Sequence, residues 1–414
     1  MSEPAGEGER PAPPPLSTYQ KRLLVFLSVA TFFEGYDFIA LAQILPNFRA
    51  DMHVGPEVAG RLVALINFGS MLAYALVRRA DQWGRRRVLT VTITGYTIST
   101  FVSGLAPGPW SFAFCQMLAR IFLIGEYATS MVIAAEEFPK ERRGLAIGTV
   151  AAFSSFGAIL CAGLVPFLVR SPYGWRTVYF VALLPLVTIA YARRGLHETK
   201  RFEEQGAHRA ESVFHVFRTP YRKRVLELGV VWIFAYVSTQ NTVTFWKDFA
   251  MNERGLTDKQ VAASVALAAV VALPLVFGVG KALDSWGRRP AAAVVFAVGG
   301  VGTIGCYTLT SQAGLTVSLV AGIFASSAFL PILNSFTTEL FPTAMRADGF
   351  AWANNLIGRL GYVLSPIAVG ALAETMGYGP VLRLTAIFPF IGIGLIYVLF
   401  PETKGRSLEE TAAL

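Results

Sequence analysis

Twelve long apolar segments dominate the chain and limit its fold more than any other feature. A helix needs about 20 residues to cross the hydrocarbon core of a bilayer, and each segment reaches that length. Helix is the only open-chain structure that satisfies its own backbone in lipid. We therefore predict an all-α membrane protein with twelve transmembrane helices, near residues 23–46, 58–78, 88–107, 110–135, 145–169, 175–194, 225–247, 260–282, 290–310, 314–338, 347–373 and 379–400.

The composition agrees with a membrane protein. Of the 414 residues, 54% are hydrophobic and only 15% are charged, whereas soluble chains carry about 25% charged residues. Most of the basic residues fall on the side that holds both chain ends. The opposite side carries Arg49, Arg170, Arg176, Lys247, Arg254 and Lys259.

This asymmetry predicts the orientation of the chain. Basic residues concentrate in cytoplasmic loops, so we expect a multi-pass protein of the cell membrane with both termini in the cytoplasm. The net charge of +9 is then a topology signal, and we expect no nucleic-acid partner. The three cysteines lack metal-site spacing, and all four histidines lie outside the segments. We therefore expect no bound metal and no cofactor.

An internal repeat divides the chain into halves. The run DQWGRR at 81–86 recurs as DSWGRR at 284–289. A second set, Glu136, Phe138, Pro139 and Arg143, recurs at the same offset as Glu339, Phe341, Pro342 and Arg346. Duplicated halves with the site between them are a transporter architecture. The predicted parts are a disordered cytoplasmic tail at 1–20, six helices in 21–194, a cytoplasmic linker at 195–224, six helices in 225–400 and a cytoplasmic tail at 401–414.

The repeated loops carry a family resemblance. Both look like the signature loops of the major facilitator superfamily, and the pattern is complete over 280–289, whereas Val77 replaces the leading glycine of the first copy. The PETKG ending at 401–405 is also similar to that superfamily. The resemblance implies two pseudosymmetric six-helix bundles and a central cavity that opens alternately to each side. We expect a proton gradient as the energy source.

Two shorter motifs resemble particular groups within the superfamily. The run EGYD at 34–37 resembles the motif of aromatic acid:proton symporters. Arg120 and the following GEY at 125–127 resemble metabolite:proton symporters, although Ala128 stands where glycine is common. Both groups import small organic anions together with protons.

Glu34 and Asp37 are acids within an apolar segment, three residues apart and therefore on one helix face. Carboxylates at this depth face protein or a water-filled cavity and are usually functional. We predict that they bind the coupling proton. Asp37 lies eleven residues from Phe48 and Arg120 eleven residues from Pro109, so both lie about 16 Å below the outer surface.

Equal depth predicts that Asp37 and Arg120 are partners. In one interpretation, protonation of Asp37 releases Arg120 for a substrate carboxylate, which its guanidinium can bind in bidentate fashion. In the other, the two residues form a static ion pair that joins two helices.

Other polar residues within the segments are candidates for substrate contact. Asn355 and Tyr362 share a helix face with Arg359. Substrate contact and a structural bond to backbone carbonyls are both open interpretations. Glu126 is a second proton site or a buried structural partner. Gln240 and Asn241 stand in a polar cluster of the seventh segment, and some of that cluster should face the cavity.

The repeated charged motifs predict gating elements. Acids and arginines at the inner ends of neighbouring helices can form charge clusters that break when the cytoplasmic side opens. The residues concerned are Asp81, Arg85, Arg86, Glu136 and Arg143 in the first half, and Asp284, Arg288, Arg289, Glu339 and Arg346 in the second.

These observations predict proton-coupled uptake of a small organic acid by a monomer. An exporter of drugs or metabolites is the first alternative, but the fifth segment reads FGAILCAGLVPFLV and lacks the Gly-Pro and paired glycines typical of exporters. A sugar porter ranks third, below the exporter, because buried acids and arginines suit an anion better than a neutral sugar. A receptor with a transporter fold is also open. We find no nucleophile–base pair, metal cluster or phosphate loop, so we do not expect an enzyme.

Overall fold

The computed structural model describes residues 15–184, 198, 213–342, 345–406 and 410–411, without the side chains of 79–81, 140–141, 182 and 213. The first half contains α1 (Thr18–Met52), α2 (Pro56–Trp83), α3 (Arg85–Gly104), α4 (Pro109–Glu137), α5 (Lys140–Leu168) and α6 (Arg176–Phe180, continued by a 3₁₀ turn at Val181–Leu183). We call the side at which α1 begins the inner side, following the predicted orientation.

The second half begins with a 3₁₀ turn at Val213–Arg218. It contains α7 (Arg222–Thr244, then Trp246–Asn252), α8 (Asp258–Trp286), α9 (Arg288–Thr308), α10 (Gln312–Glu339), α11 (Arg346–Phe350, a π-helical stretch at Ala351–Gly358, then Arg359–Met376) and α12 (Tyr378–Thr385, then Ile387–Leu399). Residues 1–14 of the predicted tail at 1–20 and most of the predicted linker lie outside the described residues. The prediction of a disordered tail is wrong for Thr18–Gln20, which form the first turn of α1, because the Ser17 hydroxyl accepts from the backbone N–H of Gln20 at 3.1 Å and caps the helix.

The all-helical membrane fold is confirmed. Within the described ranges, nine helices are long and apolar enough to cross a membrane. The other three predicted segments are α3, α6 and α7. Threonines and serines lower the hydropathy of α3, the polar cluster at 238–244 does the same in α7, and α6 is described only as far as residue 184.

Glycine defines equivalent corners in the two halves. Gly84 lies between α2 and α3 with a φ of 89°, and Gly287 lies between α8 and α9 with a φ of 105°. A residue with a Cβ atom rarely adopts such a φ. The glycine of each WGRR run therefore allows the chain to turn sharply from one helix into the next.

Three apolar clusters form the core of the described chain. One cluster contains residues of both halves near their outer ends, including Phe48, Trp175, Phe249 and Tyr307. The other two lie toward the inner side, and each belongs to a single half. The halves thus share a core on the outer side and keep separate cores on the inner side.

Direct contacts close the outer side. Arg49 of α1 forms an ion pair with Asp248 of α7. The backbone N–H of Glu57 in α2 donates to the Glu374 carboxylate of α11 at 3.0 Å. A Cβ atom at Gly60 would lie 2.2 Å from the Pro366 carbonyl oxygen, so glycine is required for this approach of α2 to α11.

Candidate functional site

The two acids of α1 are buried, each only 6% exposed. Ser154 Oγ of α5 donates to Glu34 Oε2 at 2.7 Å, and Thr100 Oγ1 of α3 donates to Asp37 Oδ2. A Cβ atom at Gly35 would lie 1.8 Å from the Ser154 carbonyl oxygen. The glycine of the EGYD run therefore brings α5 close enough for Ser154 to reach Glu34.

Arg120 of α4 is 5% exposed and its guanidinium lies over the Phe38 ring, 4.6 Å from the ring centroid. It interacts electrostatically with both carboxyl groups. No acid among the described residues lies within 4.0 Å of it, and its Nη1 has no hydrogen-bond partner there.

The predicted direct pair of Asp37 and Arg120 is therefore wrong for this conformation. Equal depth along the membrane does not determine how each helix is rotated. Asp37 faces α3 and accepts a hydrogen bond from Thr100, whereas Arg120 contacts the ring of the next residue on α1. The proton-binding and substrate-binding roles themselves stay predictions.

Glu126 lies deeper in α4 and is completely buried. Ser130 Oγ, one helical turn away, donates to Glu126 Oε1 at 2.7 Å. The second oxygen, Oε2, has no partner within the described chain. In this conformation Glu126 belongs to the interior of the first half and is inaccessible to a substrate.

The second half contributes a polar and aromatic cluster around α11. A π-helical stretch ends directly before Arg359, and such stretches often occur at functional sites. Tyr236 of α7 donates its hydroxyl to Asn354 Oδ1 at 2.8 Å, and its ring lies 5.6 Å from that of Tyr362. Arg359 is half-buried, and its Nε has no hydrogen-bond partner in the described part of the chain.

The sequence reasoning missed Asn354 because it assumed α-helical spacing. Asn355, four residues before Arg359, is half-buried. In a π-helix the backbone hydrogen bonds run from residue i to residue i+5, so the α-helical spacing of four does not determine which residues share a face with Arg359. No sequence signal indicated the π-helical stretch.

In α7, Asn241 joins two helices. Its Nδ2 donates to the Val237 carbonyl at 2.7 Å and to Ser365 Oγ of α11 at 2.8 Å. Gln240 is half-buried. The Nδ2 of Asn241 is thus already used in packing, whereas its Oδ1 has no hydrogen-bond partner in the described chain. Substrate contact by either residue stays a prediction.

The predicted gating residues form two similar clusters on the inner side. Arg85 pairs with Glu136 at 3.3 Å, and Arg288 pairs with Glu339 at 2.9 Å and with Asp284 at 3.6 Å. Arg143 is exposed, and Arg346 Nε donates to the Thr338 carbonyl. The side chain of Asp81 lies outside the described part of the structure.

Each cluster also includes a carboxylate at the start of a helix. The backbone N–H groups of Arg85 and Arg86 donate to Glu198, and those of Arg288 and Arg289 donate to Glu402. A carboxylate is stabilised at a helix N-terminus, where backbone donors are free. Each of these bonds joins residues of one half, or of one half and the segment that directly follows it, so separation of the halves does not by itself break them.

The geometry can be compared with known proteins. Residues 27–366 match the sequence profile of the Major Facilitator Superfamily. The chain is 28% identical, over 95% of its length and 99% of the relative's, to a Haemophilus influenzae protein named as a metabolite transport protein. It is 25% identical, over 94% of its length and 98% of the relative's, to a Bacillus subtilis protein named as a niacin/nicotinamide transporter.

The fold is similar to that of a solved transporter. The xylose transporter XylE from E. coli, in an inward-open conformation, superposes with a TM-score of 0.76 at 17% identity. The alignment covers 95% of this chain and 99% of XylE.

Proposed function

Because the chain belongs to the major facilitator superfamily and is a multi-pass membrane transporter, we propose that it couples uptake of a small organic acid to proton entry by alternating access. The observation that carries the proposal is a pair of arginines, Arg120 and Arg359. Each has a guanidinium nitrogen without a hydrogen-bond partner and no acid within 4.0 Å in the described chain.

Unpaired arginines within a membrane favour an anionic substrate. A buried guanidinium without an acid in contact is costly, and a bound carboxylate would supply both a contacting counter-charge and the missing acceptors. Arginine binds a carboxylate through two parallel hydrogen bonds. A neutral sugar would form hydrogen bonds with the guanidinium groups but would not supply a negative charge.

The acids of α1 favour proton coupling. Glu34 and Asp37 each accept one hydroxyl hydrogen bond, and neither forms an ion pair with a described residue. Protonation would neutralise either side chain, so one proton can compensate the charge that an anionic substrate brings into the bundle. Intramembrane acids of this kind commonly serve as proton sites.

The contacts between the halves favour transport by alternating access. The outer side is closed by Arg49 with Asp248 and by the approach of Gly60 to α11, whereas the inner cores are separate. Rocking about the central site would exchange these contacts.

The Bacillus relative makes a matched substrate pair available for the test. Its name includes both niacin, a ring carboxylic acid, and nicotinamide, the amide of the same ring. The two differ in charge with little change in shape. A site built on free guanidinium groups should select the acid.

The test is uptake of radiolabelled nicotinate, benzoate, nicotinamide and xylose into proteoliposomes, with and without an acidic exterior. One pH unit supplies about 1.4 kcal/mol per proton, enough for about tenfold accumulation. We expect accumulation of an acid only with the gradient. Accumulation of xylose would support a sugar porter, and gradient-driven loss of preloaded substrate would support an exporter. Acid accumulation that is unaffected by the gradient would refute proton coupling.

A further inference from the structure

A polar core lies inside the first half, next to Arg120 and the Phe38 ring of the candidate substrate site. One face of α3 presents Thr92, Tyr96, Thr100 and Ser103 to this core, and all four are almost completely buried. Spacings of three and four residues place them along one stripe of the helix. The three intramembrane acids of this half surround the same stripe.

The stripe connects two levels of the membrane. Thr100 donates to Asp37, and Tyr96 lies one helical turn, about 6 Å, nearer the inner side. Glu126 lies six residues beyond Arg120 along α4, about 9 Å nearer the inner side. Tyr96 interacts electrostatically with Glu126, Asp37 and Glu34. The tyrosine therefore stands between the outer acid and the inner one.

Three buried polar atoms in this core lack hydrogen-bond partners in the described chain: Asp37 Oδ1, Tyr96 Oη and Glu126 Oε2. The hydroxyl of the neighbouring Thr97 is not available to donate to Tyr96, because it donates to the Ile93 carbonyl. More than nine in ten buried polar groups have a partner in proteins, and buried water commonly provides it. The three atoms lie on α1, α3 and α4 within one core, where buried water would link them by exchangeable hydrogen bonds.

We propose that the coupling proton crosses the first half through this core, from Asp37 by way of Tyr96 to Glu126, separately from the substrate. The inference rests on the proposed proton coupling. Protonated Asp37 gives its proton to the Tyr96 oxygen, directly or through one water. The original Tyr96 hydroxyl proton moves to the Glu126 carboxylate. Tyr96 ends neutral, Asp37 becomes a carboxylate, and Glu126 becomes the acid that releases the proton inward.

Other ionisable groups lie close to these carboxyls. They are Arg120 and Tyr127 on α4, Tyr36 on α1, Cys161 on α5 and Tyr179 on α6. Tyr36 donates its hydroxyl to the Val178 carbonyl. Tyr179 is the one other tyrosine of the described first half with an unpartnered buried hydroxyl, and a Tyr179→Phe variant therefore belongs in the test.

The test separates coupled from uncoupled transport. Purified Tyr96→Phe and Glu126→Gln are reconstituted, and accumulation driven by a pH gradient is measured beside counterflow exchange of the same acid. Loss of a proton relay should lower gradient-driven accumulation from about tenfold per pH unit to nearly none, with counterflow unchanged. Glu126→Asp keeps a titratable group and should restore part of the accumulation. Tyr179→Phe should behave as the wild type.

Tyr307→Phe is the matched control. Tyr307 is a fully buried tyrosine of α9, the equivalent helix of the second half, and donates to the Thr242 carbonyl at 2.8 Å. The Tyr307→Phe variant should leave the ratio of accumulation to counterflow unchanged.

Three results would overturn the inference. They are normal accumulation by Glu126→Gln, an equal loss of counterflow and accumulation in both variants, and a change of ratio in the control. A wild-type protein that shows no gradient dependence would instead refute the proposed function itself.

Discussion

Arg49 of α1 and Asp248 of α7 form an ion pair that joins the two halves at their outer ends. The side chain of Asp248 is completely buried, and that of Arg49 is 16% exposed. Asn252 Nδ2 donates to the other Asp248 oxygen, and the Arg49 guanidinium lies 5.6 Å from the Tyr378 ring centroid. Because the pair exists only while the outer ends meet, it biases the protein toward outer closure.

Removal of one partner should open the outer side. Arg49→Ala leaves the buried Asp248 carboxylate uncompensated, at a cost of about 3 kcal/mol or more to the closed state. We expect a higher population of outward-open molecules, measured as faster labelling of single cysteines in the outer part of α7. The exchanged pair, Arg49→Asp with Asp248→Arg, should restore slow labelling. Equal labelling of wild type and Arg49→Ala would show that the pair does not control closure.

Bulk at Gly60 should have a similar effect by a steric route. The Gly60 Cα lies against the backbone of α11 at Pro366 and Gly370, so Gly60→Val cannot fit while the outer side is closed. We expect outward-open labelling and loss of substrate release to the inside. Gly163→Ala in α5 is the control, because a Cβ atom there meets nothing within 4 Å. Normal transport by Gly60→Val would contradict the closed packing.

The sequence predicted the helices better than the details within them. The segment predicted at 110–135 is a helix over Pro109–Glu137, because apolar length dictates helix in lipid. The segment predicted at 225–247 is instead interrupted at Phe245 and continues to Asn252. That continuation contains Asp248. No sequence pattern predicts its pairing with Arg49, because contacts between the halves leave no periodicity in either helix.

The candidate site was predictable in its residue types but not in its pairing. Intramembrane acids and arginines are rare, so Glu34, Asp37, Arg120 and Arg359 stand out in the sequence. Which of them touch depends on helix rotation and packing. The close approach at Gly35 is one such packing feature. The tyrosine of the polar core, Tyr96, resembles any other apolar-segment tyrosine until α3 is placed beside α1 and α4.

Neutralising Asp37 should uncouple transport. Asp37→Asn fixes one charge state, so the return step that requires loss of the proton stalls, while exchange of substrate across the membrane continues. We expect no accumulation under a pH gradient and retained counterflow in proteoliposomes. Thr100→Val removes the hydroxyl that donates to Asp37 but keeps the acid, and should retain coupling. Accumulation by Asp37→Asn would assign the proton site elsewhere.

The carboxylate at the start of α9 predicts a pH effect on stability. Burial alone would raise the pKa of Glu402, but hydrogen bonds from the backbone N–H groups of Arg288, Arg289, Lys404 and Thr403 outweigh it and lower the pKa. A lowered pKa in the folded state adds stability at pH values above the unfolded pKa, and this is lost as the pH falls through the folded pKa.

Glu402→Gln should therefore lower the unfolding temperature at neutral pH, and the difference from wild type should shrink in acid. The effect should be modest because Glu402 is only half-buried and solvent screens its charge. Glu57→Gln, an exposed acid of α2 that pairs with Arg61, is the control. A difference that is constant over the acid range would indicate a role independent of the carboxylate charge.

The last prediction concerns the guanidinium of Arg120. Arg120→Lys keeps the positive charge but loses the two-pronged geometry, and a lysine ammonium is a strongly hydrated point charge. Loss of one buried hydrogen bond to a charged group should cost roughly 1.5–3 kcal/mol, or about one to two decades in affinity. Equilibrium binding of nicotinate to purified Arg120→Lys and Arg359→Lys measures this. If Arg120 were only a static partner of Asp37, Arg120→Lys would not lower the affinity for nicotinate, and in this conformation the two residues form no ion pair. Near-normal affinity of Arg120→Lys together with weak binding by Arg359→Lys would indicate that Arg359, and not Arg120, binds the substrate carboxylate.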